Sequence, residues 1–180
     1  MGMMGVYFPE EYGGAGLSYM TYIGVCEKLA EYCATTSVML SAHESLSCWP
    51  IYAYGTEEQK QKYLRMACTG SVGAFALTEP NAGSDAASAR TKAIIDGDDY
   101  VINGSKCFIS NMGEDEGDYV ILIALTDPAK KTKGMSAIIV DRGTKGFSIG
   151  KVEDKMGLRA APVSELIFDD CRVPKTQLLG

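Results

Sequence analysis

The sequence predicts an α+β fold: a partial N-terminal helical bundle over residues 1–70, then an antiparallel β-barrel-like domain over residues 71–180. Three observations carry this. Apolar residues recur at helical spacing up to Gly70, short runs rich in β-branched and aromatic residues follow it, and turn dipeptides separate those runs. With 180 residues, 46% hydrophobic and 22% charged, the chain can form one large domain or two small ones, which excludes a disordered or collagen-like polymer.

In the first half, Tyr19, Tyr22, Ile23, Cys26, Leu29, Ala30 and Cys33 mark one face of a helix starting after Ser18, and Glu27, Lys28 and Glu31 mark the other. The run from Ser37 to Trp49 is apolar or small nearly all round, as a central helix buried on several sides would be, and Pro50 is expected to end it. Thr56 and Gln59 form a capping-box pattern for a third helix from about Glu57 to Cys68, with Gly70 at the position of a left-handed C-terminal cap.

Strands are expected over Val72–Leu77, Ala89–Ile95, Tyr100–Ile102, Lys106–Ser110, Tyr119–Leu125, Met135–Val140, Phe147–Val152 and Val163–Phe168. Between them lie Asp96–Asp99, Asn103-Gly104, Asp127-Pro128, Lys133-Gly134 and Arg142-Gly143. Asn-Gly between apolar residues is the strongest short-range hairpin signal, so a hairpin is expected at Asn103-Gly104.

The 17 basic residues against 23 acidic ones leave a net charge of -6 and no broad cationic surface, so neither nucleic acid nor anionic membrane is an expected partner. The stretch from Tyr32 to Thr56 has Glu44 as its only formal charge, but Pro50 and several hydroxyl residues interrupt it and no membrane span is expected. No basic segment leading into an apolar run and a small-residue cleavage site is found, so a cytoplasmic location is expected, the mitochondrial matrix in a eukaryote. Cys26, Cys33, Cys48, Cys68, Cys107 and Cys171 contain no CxxC pair and read as reduced thiols.

One segment invites chemistry. Phe75 to Asp85, FALTEPNAGSD, begins as an apolar strand and breaks at Pro80, after which Gly83 and Ser84 leave room for close backbone approach. Such a loop can gather N–H groups and hydroxyls around an anion, although on local chemistry alone a solvent-exposed connection is the favoured reading. Three other patterns fail. His43 beside Glu44 cannot form a hydrolase triad, because adjacent helix residues point about 100° apart and no Gly-x-Ser-x-Gly elbow is present. Asp96, Asp98 and Asp99 lack the twelfth-position glutamate of a calcium loop, and Gly13-Gly14-Ala15-Gly16 follows no strand and is no dinucleotide fingerprint.

Six segments in order, FPEEYGGAGLSY (8–19), YGTEEQKQKYL (54–64), FALTEPNAGSDAA (75–87), DGDDYVINGSKCFISN (96–111), KMGLR (155–159) and CRVPKTQLLG (171–180), resemble the acyl-CoA dehydrogenases over nearly the whole chain. VMLSAHESL (38–46) is most similar to their short-chain, butyryl-CoA branch. The resemblance implies FAD as cofactor, an acyl-CoA thioester as substrate oxidised to the 2,3-enoyl-CoA, an electron-transferring flavoprotein as partner, and a homodimer or homotetramer. It further implies a C-terminal helical domain, absent from this chain, that holds the glutamate base; no catalytic residue is expected here, and neither Glu79 nor Glu44 is that base.

The resemblance also implies cofactor-binding roles for Phe75, Leu77, Thr78, Gly83, Ser84, Phe108, Ile109 and Ser110. The backbone of Leu77 and the hydroxyl of Thr78 would face the flavin ring, and Ser84 would meet the cofactor pyrophosphate and the phosphate-bearing end of the thioester. Phe108 stands where relatives often carry a tryptophan on the isoalloxazine, and Ser110 where they often carry a threonine near flavin N5. The helix from Val38 to Trp49 would line the acyl pocket. Two alternatives stay open: a flavin monooxygenase on the same scaffold, and an inactive flavin- or partner-binding fragment.

Overall fold

A computed structural model describes residues 2–180, apart from the side chains of residues 131 and 132. Helix α1 (Tyr19–Tyr32) starts at Ser18, whose hydroxyl accepts the Thr21 N–H. It packs on α2 (Ala34–Ala42), where the Ser37 hydroxyl donates to the Cys26 carbonyl at 2.7 Å. Of its predicted apolar face Tyr22 is buried, while Tyr19 and Ile23 remain exposed.

Pro50 does not end the second helix. The chain runs from α2 through a π-helical turn (His43–Cys48) into α3 (Trp49–Tyr54), which carries Pro50 in its first turn. A proline ring collides with a carbonyl four residues back in a regular helix, and the wider π turn, in which the Trp49 N–H reaches the Glu44 carbonyl, accommodates it. The third helix forms as predicted in extent: α4 (Glu57–Gln59), a second π segment (Lys60–Leu64) and α5 (Arg65–Thr69). Thr56 and Gln59 make the reciprocal capping box. At its end Gly70 has φ 136°, positive but outside the left-handed helical well; its N–H bonds to the Ala67 carbonyl and that of Ser71 to Met66, the paired bonds of a Schellman cap.

Eight strands form one mostly antiparallel sheet: β1 (Gly73–Ala76), β2 (Lys92–Asp96), β3 (Asp99–Ser110), β4 (Tyr119–Leu125), β5 (Met135–Asp141), β6 (Phe147–Val152), β7 (Val163–Pro174) and β8 (Leu178–Leu179). The order is β6-β7-β3-β2-β4-β5-β8, and β1 lies parallel to β4. Strand β2 also meets β4 in parallel through Lys92 and Leu125, so antiparallel pairing is not universal. The strand β4 is an unbroken apolar run because both its faces are buried. Val120, Leu122 and Ala124 enter a core inside the curved sheet with Ile102, Ile138 and Leu166; Tyr119 and Ile121 pack with Phe8, Cys48, Ile51 and Tyr63 from the helical half.

The hairpin expected at Asn103-Gly104 is absent. The β2–β3 turn falls at Gly97-Asp98, inside the Asp96–Asp99 segment read as a hairpin tip, with Asp96 facing Asp99, and β3 runs straight through Asn103 and Gly104. The positive φ of Gly104, 147°, serves a bulge: the β3–β7 register slips after Ile102, and Asp170 on β7, at φ 46°, is bonded to the Asn103 amide in both directions. The dipeptide chemistry is as read, but its positive-φ glycine is used within a ladder.

Candidate functional site

The β3–β7 register slips a second time, between Lys106 and Ile109, and here the one extra residue is on β3. Tyr100, Ile102 and Lys106 point inward, and continued alternation would send Phe108 into the core. The bulge instead puts Ile109 inside and turns Phe108 out, with 64% of it exposed and its φ at 59°. A left-handed backbone under a bulky side chain costs about 1–2 kcal/mol, so the surrounding structure imposes it, and such strain collects at working sites.

Phe108 borders a cleft of about 300 Å³ lined by Ala42, Leu46, Phe75, Leu77, Thr78, Phe108, Ile109 and Ser110. Six of the eight residues singled out from the sequence therefore converge. Gly83 and Ser84 do not: they sit on the exposed loop beyond a tight turn in which Glu79 and Ala82 exchange backbone hydrogen bonds, and nothing stands within 4 Å of a Cβ placed on Gly83.

Two buried residues that sequence reasoning did not place at the site fix its helical wall. Asn111, at φ 66° just after β3, donates its amide to the Met39 carbonyl at 3.0 Å and to the Gly73 carbonyl at 3.4 Å. His43 Nδ1 accepts the Gly73 N–H at 3.0 Å. Together they tie the helix to the start of β1 and the end of β3, which holds Ala42 and Leu46 over the strands. Because Nδ1 accepts, the ring proton lies on Nε2, 3.4 Å from Cys48 Sγ, and burial lowers the pKa of His43 to about 4, so the ring is neutral. No triad forms, as expected: the neighbouring Glu44 turns to the Val6 N–H at 3.1 Å.

Glu79 lies beneath the strand end and not in the cleft. Its carboxylate accepts from Lys106 Nζ at 2.8 Å and from the N–H groups of Arg90 at 2.6 Å and Thr91 at 3.0 Å. Burial alone would raise its pKa, but these donors outweigh that and hold it below the usual carboxylate value. Burial draws the Lys106 ammonium down, against the pull of Glu79. The signal for Lys106 was available in principle, as a cation at an inward position of an alternating strand. The helix expected to line the acyl pocket contributes Ala42 and Leu46 to this cleft; its other small residues Ser41 and Ser45 are not among the lining residues. Among the described residues no cluster of His, Cys, Asp and Glu could hold a metal, and no helix is long and apolar enough to cross a membrane.

The cleft thus offers one exposed aromatic face, two hydroxyls and apolar walls, with no charged side chain, a lining suited to a flat, neutral heteroaromatic ring. Comparison with known proteins gives the family. Residues 1–71 match the acyl-CoA dehydrogenase N-terminal domain and residues 74–171 the acyl-CoA dehydrogenase middle domain. A short-chain-specific acyl-CoA dehydrogenase of Clostridium acetobutylicum is 52% identical over 99% of this chain and 47% of its own length. The butyryl-CoA dehydrogenase of Megasphaera elsdenii superposes with a TM-score of 0.95 at 45% identity, over 99% of this chain and 48% of its own. A chain from the structure described as the electron transferring flavoprotein of Acidaminococcus fermentans gives 0.96 at 50% identity, covering 99% of this chain and 47% of that one. An acyl-CoA dehydrogenase complexed with FAD from Bacillus anthracis gives 0.90 at 37%, over 99% and 30%. The chain spans about half the length of these proteins or less, and with both of its halves matched in order it belongs to the acyl-CoA dehydrogenase family.

Proposed function

We propose that the protein containing this chain oxidises an acyl-CoA thioester to the 2,3-enoyl-CoA, with FAD held in the cleft and an electron-transferring flavoprotein as acceptor. The observation that carries this reading is the exposed, left-handed Phe108 opposite Leu77 and Thr78 and next to Ser110. Bound there, FAD would supply the two-electron oxidation of the bond beside the thioester. Phe108 would stack on the isoalloxazine face, the Thr78 and Ser110 hydroxyls would hydrogen-bond its polar edge, and Phe75 with Leu46 would exclude water. Gly83 and Ser84, exposed beyond the Glu79–Ala82 turn, would meet the phosphates of cofactor and thioester.

Neither carboxylate discussed above serves as base in this reading, because Glu79 is saturated with donors and Glu44 lies in the helical core away from the cleft. The base is assigned to the part of the protein outside this chain, which is expected to assemble as a homodimer or homotetramer. Six free cysteines suit the reducing interior of a bacterial cytoplasm or a mitochondrial matrix. The division into helical residues 1–70 and β residues 71–180 is kept, supported by the Schellman cap at Gly70.

The test uses the full-length protein. Yellow flavin absorption that bleaches anaerobically on adding butyryl-CoA, and recovers with electron-transferring flavoprotein, is expected. Absence of bound flavin after reconstitution, or peroxide and hydroxylated product as the main outcome in air, would refute it.

A further inference from the structure

Among the described residues, Lys106 is the one buried lysine, with no exposed surface. Its ammonium donates to the Leu77 carbonyl at 2.9 Å as well as to Glu79 at 2.8 Å. The N–H of the next residue, Cys107, donates to the Thr78 carbonyl at 2.9 Å. The ladder between β1 and β4 has ended by then, since its last pair is Ala76 with Leu122. Two successive carbonyls beyond that ladder are therefore held by two successive residues of β3, immediately before the bulge that turns Phe108 into the cleft.

Stability alone does not account for a charge in this place. Taking two ions out of water offsets most of their attraction, and apolar side chains of similar volume hold a core as well. An apolar pair could not grip the Leu77 carbonyl. We propose that Lys106 is a positioning residue: it fixes the backbone of Leu77 and Thr78 relative to the bulge, so that the strand end and Phe108 meet a bound flavin ring from fixed directions. Glu79 pairs with the ammonium and is itself oriented by the Arg90 and Thr91 N–H groups, while the hold on the Leu77 carbonyl belongs to Lys106 alone. This inference rests on the flavin reading above.

Three variants of the full-length protein separate positioning from bulk stability: Lys106→Met, Glu79→Gln, and both together. Each is measured by urea unfolding of the apoprotein, FAD titration and the visible spectrum of the bound flavin. Lys106→Met is expected to lose stability, because a buried carboxylate is left without its cation. The double variant is expected to regain most of that stability and still bind FAD about tenfold more weakly than wild type, with altered flavin bands, since one charge-assisted hydrogen bond to Leu77 is gone. Glu79→Gln, which keeps the lysine and its bond to Leu77, is expected to hold FAD within about threefold of wild type.

Wild-type FAD affinity and spectrum in the double variant would overturn the proposal. So would a loss of affinity in Glu79→Gln as large as in Lys106→Met, a result that does not require the double variant to fold. If wild-type protein itself fails to take up FAD, the flavin reading falls and the role of Lys106 with it, whereas normal uptake with either of those variant results removes only the role of Lys106.

Discussion

Replacing Phe108 by glycine separates a core phenylalanine from one held out for a ligand. A phenylalanine buried in the sheet would cost about 3–5 kcal/mol on truncation. Phe108 is only about one-third covered, so the lost burial is worth roughly 0.5–1 kcal/mol of the 1.5–3 for full burial. Glycine adds an unfolded-state entropy penalty of about 0.5–1 kcal/mol. Against both stands relief of the φ of 59°, about 1–2 kcal/mol. The terms nearly cancel, and Phe108→Gly is expected to unfold in urea within about 1 kcal/mol of wild type. FAD binding should nevertheless weaken by about 2- to 12-fold, the stacking contribution of 0.5–1.5 kcal/mol, while Phe108→Trp keeps it. Urea unfolding of the apoprotein and fluorescence titration with FAD read the two quantities. A destabilisation of 3 kcal/mol with unchanged FAD affinity would show that Phe108 is a core residue and refute the reasoning.

Three further outcomes are expected. Burial raises the Glu44 carboxyl from 4.5 to about 7, so it favours the protonated fold; stability from this group is full below pH 4.5 and lost as pH rises through 7. Glu44→Gln should therefore gain on wild type progressively from pH 4.5 to 7, reaching about 3 kcal/mol at pH 8 in urea titrations, and a pH-independent difference would contradict the assignment. Gly104→Ala puts a Cβ 2.6 Å from Thr91 Oγ1 and 2.8 Å from its Cα at a φ of 147°, and should lower stability by about 1–3 kcal/mol, read from the thermal midpoint. Ser110→Ala should slow flavin bleaching in rapid-mixing experiments and leave thioester affinity nearly unchanged; a normal rate with a large loss of affinity would exchange its role with that of Ser84.

Elements governed by local pattern were legible in the sequence. The strands β4 and β6 have their predicted bounds, Tyr119–Leu125 and Phe147–Val152: β4 is an unbroken apolar run rich in β-branched residues, and β6 is a short segment set off by the preceding Arg142-Gly143 turn signal. The capping box at Thr56 likewise needs only residues within one turn. Features that depend on a partner strand or helix were not legible. Asn103-Gly104 satisfies hairpin and bulge equally, and Asp170, 67 residues away, decides between them. Pro50 would stop an ordinary helix, but the π turn before it depends on packing of His43 against Gly73 and Glu44 against Val6. The site residues were named through family resemblance; the outward turn of Phe108 depends on a register slip against β7, and the Lys106–Glu79 and Asn111–Met39 contacts that support it join residues 27 and 72 positions apart.

The central claim is that the flavin ring lies against Phe108 in the cleft between the helix and the ends of β1 and β3. It is tested most directly by placing 4-fluorophenylalanine at position 108 of the full-length protein and following its fluorine resonance during FAD titration. A stacked isoalloxazine should move that resonance by its ring current, in step with the appearance of bound-flavin absorption and with saturation at the same FAD concentration. A resonance that stays at its apoprotein position while absorption shows FAD fully bound would place the ring elsewhere and contradict the account.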